Sequence, residues 1–166
     1  MLIVCSVAGA MVIEDPGARL AWSVVGLAFA ASVLDGLDGW IARRYDEQSS
    51  FGARFDMEVD AALILVLAVL AYRWDRAGLW ILLAGLMRYV FVVGASVLPW
   101  LARPLPPSER RRIVCVVQTV ALIGCLMPWW PSIAAQLIAL MGLLALTISF
   151  TIDVRFLYRE RSRNVC

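Results

Sequence analysis

Stretches of about twenty largely apolar residues recur along this 166-residue chain, separated by short polar breaks. No other feature restricts its fold as much, because an apolar helix of ~20 residues rising 1.5 Å per residue matches the roughly 30 Å hydrocarbon core of a bilayer. At 62% hydrophobic and 17% charged residues, the chain is also far more apolar than the roughly 45–50% of a soluble domain. Water is not its main solvent. The expected fold is all-α: a polytopic membrane helical bundle of about six transmembrane helices, forming a single domain over residues 1–166.

The breaks place the helices. Residues 1–13 are apolar but lack the basic leader and small-residue cleavage site of a signal peptide. They would cover roughly 20 Å, so the first helix is expected to be truncated at its start. Glu14-Asp15-Pro16-Gly17 opposes helix continuation. A second span runs from residue 18 to 34 and keeps helical spacing through Arg44 while turning polar on one side. A third is expected over residues 51–72, a fourth over 78–101, a fifth over 113–126 and a sixth over 132–152, followed by a polar tail. Trp74-Asp75-Arg76 supplies one turn, and Pro128-Trp129-Trp130-Pro131 reads as an interfacial hairpin.

All fifteen basic residues are arginine, and the absence of histidine excludes imidazole chemistry. Arg43, Arg44, Arg54, Arg103, Arg110, Arg111, Arg112, Arg155, Arg159, Arg161 and Arg163 fall in alternate loops and the tail, against Arg19, Arg73 and Arg76 on the other side. Eleven against three puts residues 35–60 on the cytoplasmic face, with both termini there. Cys5, Cys115, Cys125 and Cys166 lack metal-ligand spacing and read as small packing residues.

A charged aspartate at mid-membrane costs about 2.5–3.5 kcal/mol on insertion scales, and less near the interface. Four nevertheless gather at one boundary. Asp35 and Asp38 are three residues apart and Asp56 and Asp60 four apart, so each pair shares one face of its helix. The short loop over residues 45–50 makes those helices antiparallel neighbours able to turn both pairs into one pocket. An all-oxygen site of this kind suits Mg²⁺ or Mn²⁺. Gly36 and Gly39 let a nucleotide or pyrophosphate approach the helix backbone, Ala42 keeps the same face shallow, Arg43 offers a forked donor to phosphate, and Gly52 permits close packing where the third helix enters.

The run Asp35-x2-Asp38-Gly39-x2-Ala42-Arg43-x8-Gly52-x3-Asp56-x3-Asp60 resembles the complete signature of the CDP-alcohol phosphotransferases. Eight specified residues at fixed offsets coincide by chance on the order of once in a billion starting positions. The resemblance implies two divalent ions held by Asp35, Asp38, Asp56 and Asp60. It places Gly39, Ala42 and Arg43, with Gly52, at the CDP moiety, and makes Asp60 the general base for the acceptor hydroxyl. It further implies transfer of a substituted phosphate, foremost phosphatidyl from CDP-diacylglycerol, to a small polar alcohol with release of CMP, in phospholipid biosynthesis. Membrane lipids and a second copy of the chain are the expected partners, with no nucleic acid. The expected location is a bacterial inner membrane, with the site on the cytoplasmic side. Glycerol 3-phosphate, serine, an inositol derivative or another phospholipid all remain open as acceptor.

Alternatives within this reading are a CDP-aminoalcohol donor with diacylglycerol as acceptor, or a catalytically inactive membrane relative. An ion channel would spread acids through the bilayer depth, whereas these are confined to one end of two helices. Outside the signature, Glu58 faces away from Asp56 and Asp60 and reads as a structural carboxylate. Arg88 reads as a cavity-lining or substrate-contact residue in preference to a structural ion pair. For Arg110–Arg112, a phosphate anchor and a topology signal contacting anionic lipid stand level. Asp153 reads as a helix-end feature, and Gly85, Gly94 and Gly142 as sites of close helix packing.

Overall fold

The computed structural model describes residues 2–10, 17–44, 50–98, 100–101 and 108–163. Among the described residues six α-helices follow in order: α1 (Leu2–Gly9), α2 (Ala18–Arg44), α3 (Ser50–Arg73), α4 (Leu82–Val97, entered through a 3-10 turn at Leu79–Ile81), α5 (Glu109–Leu126) and α6 (Ser132–Arg163). The described residues contain no strand, so the all-α bundle expected from the apolar periodicity is what forms.

The helix ends follow from local chemistry. α2 starts on the carbonyl of Gly17, which accepts from the N–H groups of Leu20 and Ala21 at 2.9 and 3.2 Å. α3 closes in a double hydrogen-bonded cap. Arg76 N–H reaches Ala71 O at 2.9 Å and Asp75 N–H reaches Tyr72 O at 3.2 Å, which requires Asp75 to adopt φ 52°, the left-handed conformation that glycine usually supplies. α4 stops at Val97 rather than running to Leu101, because Leu98, the residue before Pro99, takes extended angles of φ −114° and ψ 98°. α6 instead runs on to Arg163, eleven residues past its expected end, carrying the arginine-rich segment as helix.

Packing radiates from α5, which lies along α6, α3 and α2; α3 also packs on α4 and α1, and α1 on α2. Fully buried Leu67 and Leu70 of α3, Ile81 before α4, and Leu122 and Leu126 of α5 form the centre, with Ala28, Ala68, Ala71, Ala135 and Ala139 allowing close approach. Two glycines set the tightest crossings. A Cβ at Gly85 would stand 2.6 Å from the Cα of Leu65, and one at Gly142 would stand 2.8 Å from Oε1 of Gln118. Both mark close helix packing as expected, and both are used inside the bundle.

The outside of the bundle is apolar. Val90, Val93 and Val97 of α4 are 68%, 63% and 72% exposed, and Ile133, Met141 and Ile148 of α6 are 73%, 68% and 60% exposed. Such continuous apolar faces suit contact with a membrane or with another apolar protein surface rather than with water. Two stretches of the described residues are long and apolar enough to cross a membrane, Leu79–Val97 and Ser132–Glu160, with mean hydropathies of 1.8 and 2.2; Ala18–Leu34 is a shorter apolar helix. α2, α3 and α5 each give one end to charged residues, which dilutes their apolar windows. The eight residues of α1 rise about 12 Å, less than half of the hydrocarbon core.

Candidate active site

α2 passes unbroken through Asp35 and Asp38, and α3 through Asp56 and Asp60. At about 100° per residue, the first pair is about 60° apart around its axis and the second about 40°. Each pair therefore shares one helix face, as the spacing predicts. Glu58 lies about 160° round α3 from both Asp56 and Asp60.

The contacts of α3 bear out that division. Asp60 is half-buried, and its Oδ2 lies 3.7 Å from the Sγ of Cys115 on α5. A thiol is a weak donor, so this contact orients the carboxylate without neutralising it. Glu58 turns to α4, where its Oε1 accepts from Nη2 of Arg88 at 2.5 Å. Arg88, expected to line a cavity or contact substrate, is instead held in this ion pair. Its Nε is buried without a partner among the described residues.

Asp35, Asp38, Gly39, Ala42, Arg43, Gly52 and Asp56 have helical backbones, but their side chains lie outside the described residues. Beside Asp35, Gly36 has open space where a Cβ would stand, so that part of the α2 surface is shallow. Among the described residues, the strongest contacts of α2 are to α1 and α5 rather than to α3, and α3 also packs on α1 and α5. The two aspartate-bearing helices are thus coupled through shared neighbours, a register that the short 45–50 connection did not reveal.

α5 adds residues that the sequence reading missed or misplaced. Arg110 Nη1 donates to the backbone O and Oγ of Ser149 at 2.8 and 2.9 Å, and its Nη2 donates to Asp153 Oδ1 at 2.5 Å. Asp153 is therefore no helix-end feature. It lies ten residues before the end of α6 and clamps Arg110, leaving Arg112 as the exposed member of the triplet. One helical turn deeper than Cys115, Gln118 is fully buried with neither carboxamide atom partnered among the described residues. The i+3 spacing of Cys115 and Gln118, inside an otherwise apolar run, was the available signal.

Among the described residues no three His, Cys, Asp or Glu side chains gather to hold a metal; three of the four aspartates expected to do so fall outside that set. The donor chemistry fits a hard divalent cation. The four candidates are all carboxylates, placed at one-face spacings on uninterrupted helices.

The family model described as CDP-alcohol phosphatidyltransferase matches residues 1–152. A CDP-diacylglycerol–glycerol-3-phosphate 3-phosphatidyltransferase of Cereibacter sphaeroides is 33% identical over 76 residues, which are 44% of this chain and 34% of that protein. The chain thus spans about a third of the length of that relative. No solved structure matches.

Proposed function

This chain belongs to the CDP-alcohol phosphatidyltransferase family, and from that premise we propose that it transfers phosphatidyl from CDP-diacylglycerol to a small polar alcohol, releasing CMP, in phospholipid biosynthesis. The observation that carries the proposal is the placement of Asp35, Asp38, Asp56 and Asp60 at one-face spacings on two unbroken helices. Glycerol 3-phosphate is the acceptor we favour, because the Cereibacter sphaeroides relative is named for it.

In this reading Asp35, Asp38, Asp56 and Asp60 would hold two Mg²⁺ or Mn²⁺ ions, and the charge these supply would offset that of the donor's pyrophosphate. Gly39, Ala42 and Gly52 keep the helix surfaces low where the CDP moiety lies, and Arg43 donates to its phosphate oxygens. Asp60 takes the proton from the acceptor hydroxyl. The acceptor oxygen then bonds to the phosphatidyl phosphorus while the bond from that phosphorus to the CMP oxygen breaks, and CMP leaves with the electron pair. Cys115 holds the Asp60 carboxylate toward α5. The apolar outer faces of α4 and α6 let the donor's acyl chains approach from the side.

The arginine asymmetry supports a cytoplasmic site, and the Cereibacter sphaeroides relative supports a bacterial inner membrane as its setting. A homodimer has support from the exposed apolar stripe Leu83, Leu86, Val90, Val93 and Val97 on α4, since Gly85 and Gly142 are occupied within one chain. The test is CMP release by the purified protein in detergent with Mg²⁺, CDP-diacylglycerol and a panel of alcohols. Release with glycerol 3-phosphate well above the others is expected. Release with no alcohol would leave the inactive-relative reading standing.

A further inference from the structure

At the end of the bundle opposite the aspartates, the start of α2, the ends of α3 and α5 and the start of α6 line an open-mouthed cavity of about 290 Å³. Its lining includes Ala18, Ala21, Trp74, Asp75, Arg76 and Ser132. None of these belongs to the signature. We propose that this cavity binds the headgroup of a zwitterionic phospholipid, with its phosphate at Arg76 and its primary ammonium at Asp75.

Three features carry the assignment. The lining includes one arginine and one aspartate at adjacent positions, so a ligand carrying both charges a few ångströms apart suits both, whereas a purely anionic headgroup meets Asp75 unfavourably. Both groups are held ready. Arg76 Nη1 donates to the carbonyl of Trp130 at 3.1 Å, which fixes the guanidinium and leaves its remaining nitrogens without a partner among the described residues. Asp75 is set by the α3 cap at φ 52°, a position where glycine is the less costly residue. Aspartate there supplies a carboxylate that the cap itself does not use.

The depth is right for a headgroup as well. Trp129 and Trp130, on the hairpin whose Pro128 lines the cavity, are 81% and 42% exposed, and tryptophan favours the headgroup level of a bilayer. Ser132 and Ala18, the first residues of α6 and α2, bring two helix amino ends to the lining, which adds to the attraction for phosphate. The inference requires the membrane setting but not the transferase reading, and lipid retention is measured separately from CMP release, so either can fail alone.

The full chain, purified in a neutral detergent and offered equal amounts of phosphatidylethanolamine, phosphatidylglycerol and phosphatidylcholine, is read by native mass spectrometry. Phosphatidylethanolamine is expected to be retained about tenfold over phosphatidylglycerol, with phosphatidylcholine between them because its quaternary ammonium cannot donate to Asp75. Asp75→Asn keeps a residue tolerant of the left-handed conformation and should abolish the preference while some lipid stays bound. Arg76→Gln should remove retention of all three, with a melting temperature near that of the parent showing that the bundle is folded. Equal retention of the three lipids by the parent, preference for phosphatidylglycerol, or a pattern unchanged in both variants would overturn the proposal.

Discussion

The Arg110 clamp offers a direct test of how the bundle holds α5 against α6. Arg110 makes three hydrogen bonds across that interface, and the side chains of Arg110 and Asp153 are 34% and 13% exposed. Removing one partner of a buried ion pair costs about 3–5 kcal/mol. Asp153→Leu should cost less, about 2 kcal/mol, because Arg110 is a third exposed and keeps Ser149. Arg110→Met should cost about 3 kcal/mol, since it strands the more buried carboxylate. The double variant replaces both charges by apolar groups and should lie within about 1 kcal/mol of the parent. The interaction energy is then about 4–6 kcal/mol, well above the few tenths expected of independent sites. Thermal unfolding in detergent reads this out: about 2 kcal/mol lowers the melting temperature by about 4–8 °C in a domain of this size. Additive losses in the double variant would refute the clamp.

Two further outcomes follow from the site and its scaffold. Asp60→Asn should lower CMP release by at least about a hundredfold; turnover like the parent's would remove the base role. Gly85→Ala places a Cβ 2.6 Å from the Leu65 backbone and should destabilise by about 1–3 kcal/mol as α3 and α4 separate, whereas an unchanged melting temperature would show that the crossing is looser than described.

The amino-acid pattern revealed most of the scaffold because its punctuation is strong. Gly17, the turn at Trp74-Asp75-Arg76, and the hairpin from Pro128 to Pro131 each fall where a helix starts or stops. Pro99 carries the same message for the end of α4, since the residue before a proline, Leu98, disfavours helical angles. The α6 extension was hidden because apolarity was used to find helices. Arginine and glutamate are good helix formers, so the helix continues after the apolar run ends.

The site was legible only within helices. Spacing showed that Asp35 with Asp38, and Asp56 with Asp60, share faces, and that Glu58 does not. The partners lie across helices, at separations of 30 residues for Glu58 with Arg88, 43 for Arg110 with Asp153 and 55 for Asp60 with Cys115. Local periodicity carries no information about interhelical register, which is why Arg88 and Asp153 were assigned to other roles.

The central claim is that the α2 and α3 carboxylates act together on divalent cations. Titrating the purified chain with Mn²⁺ and following free and bound ion by electron paramagnetic resonance tests it most directly. The account predicts two bound ions per chain, close enough to broaden each other's signal, and loss of at least one in Asp56→Asn. A parent chain that leaves Mn²⁺ free at millimolar concentration, or an Asp56→Asn variant with unchanged stoichiometry and affinity, would contradict it.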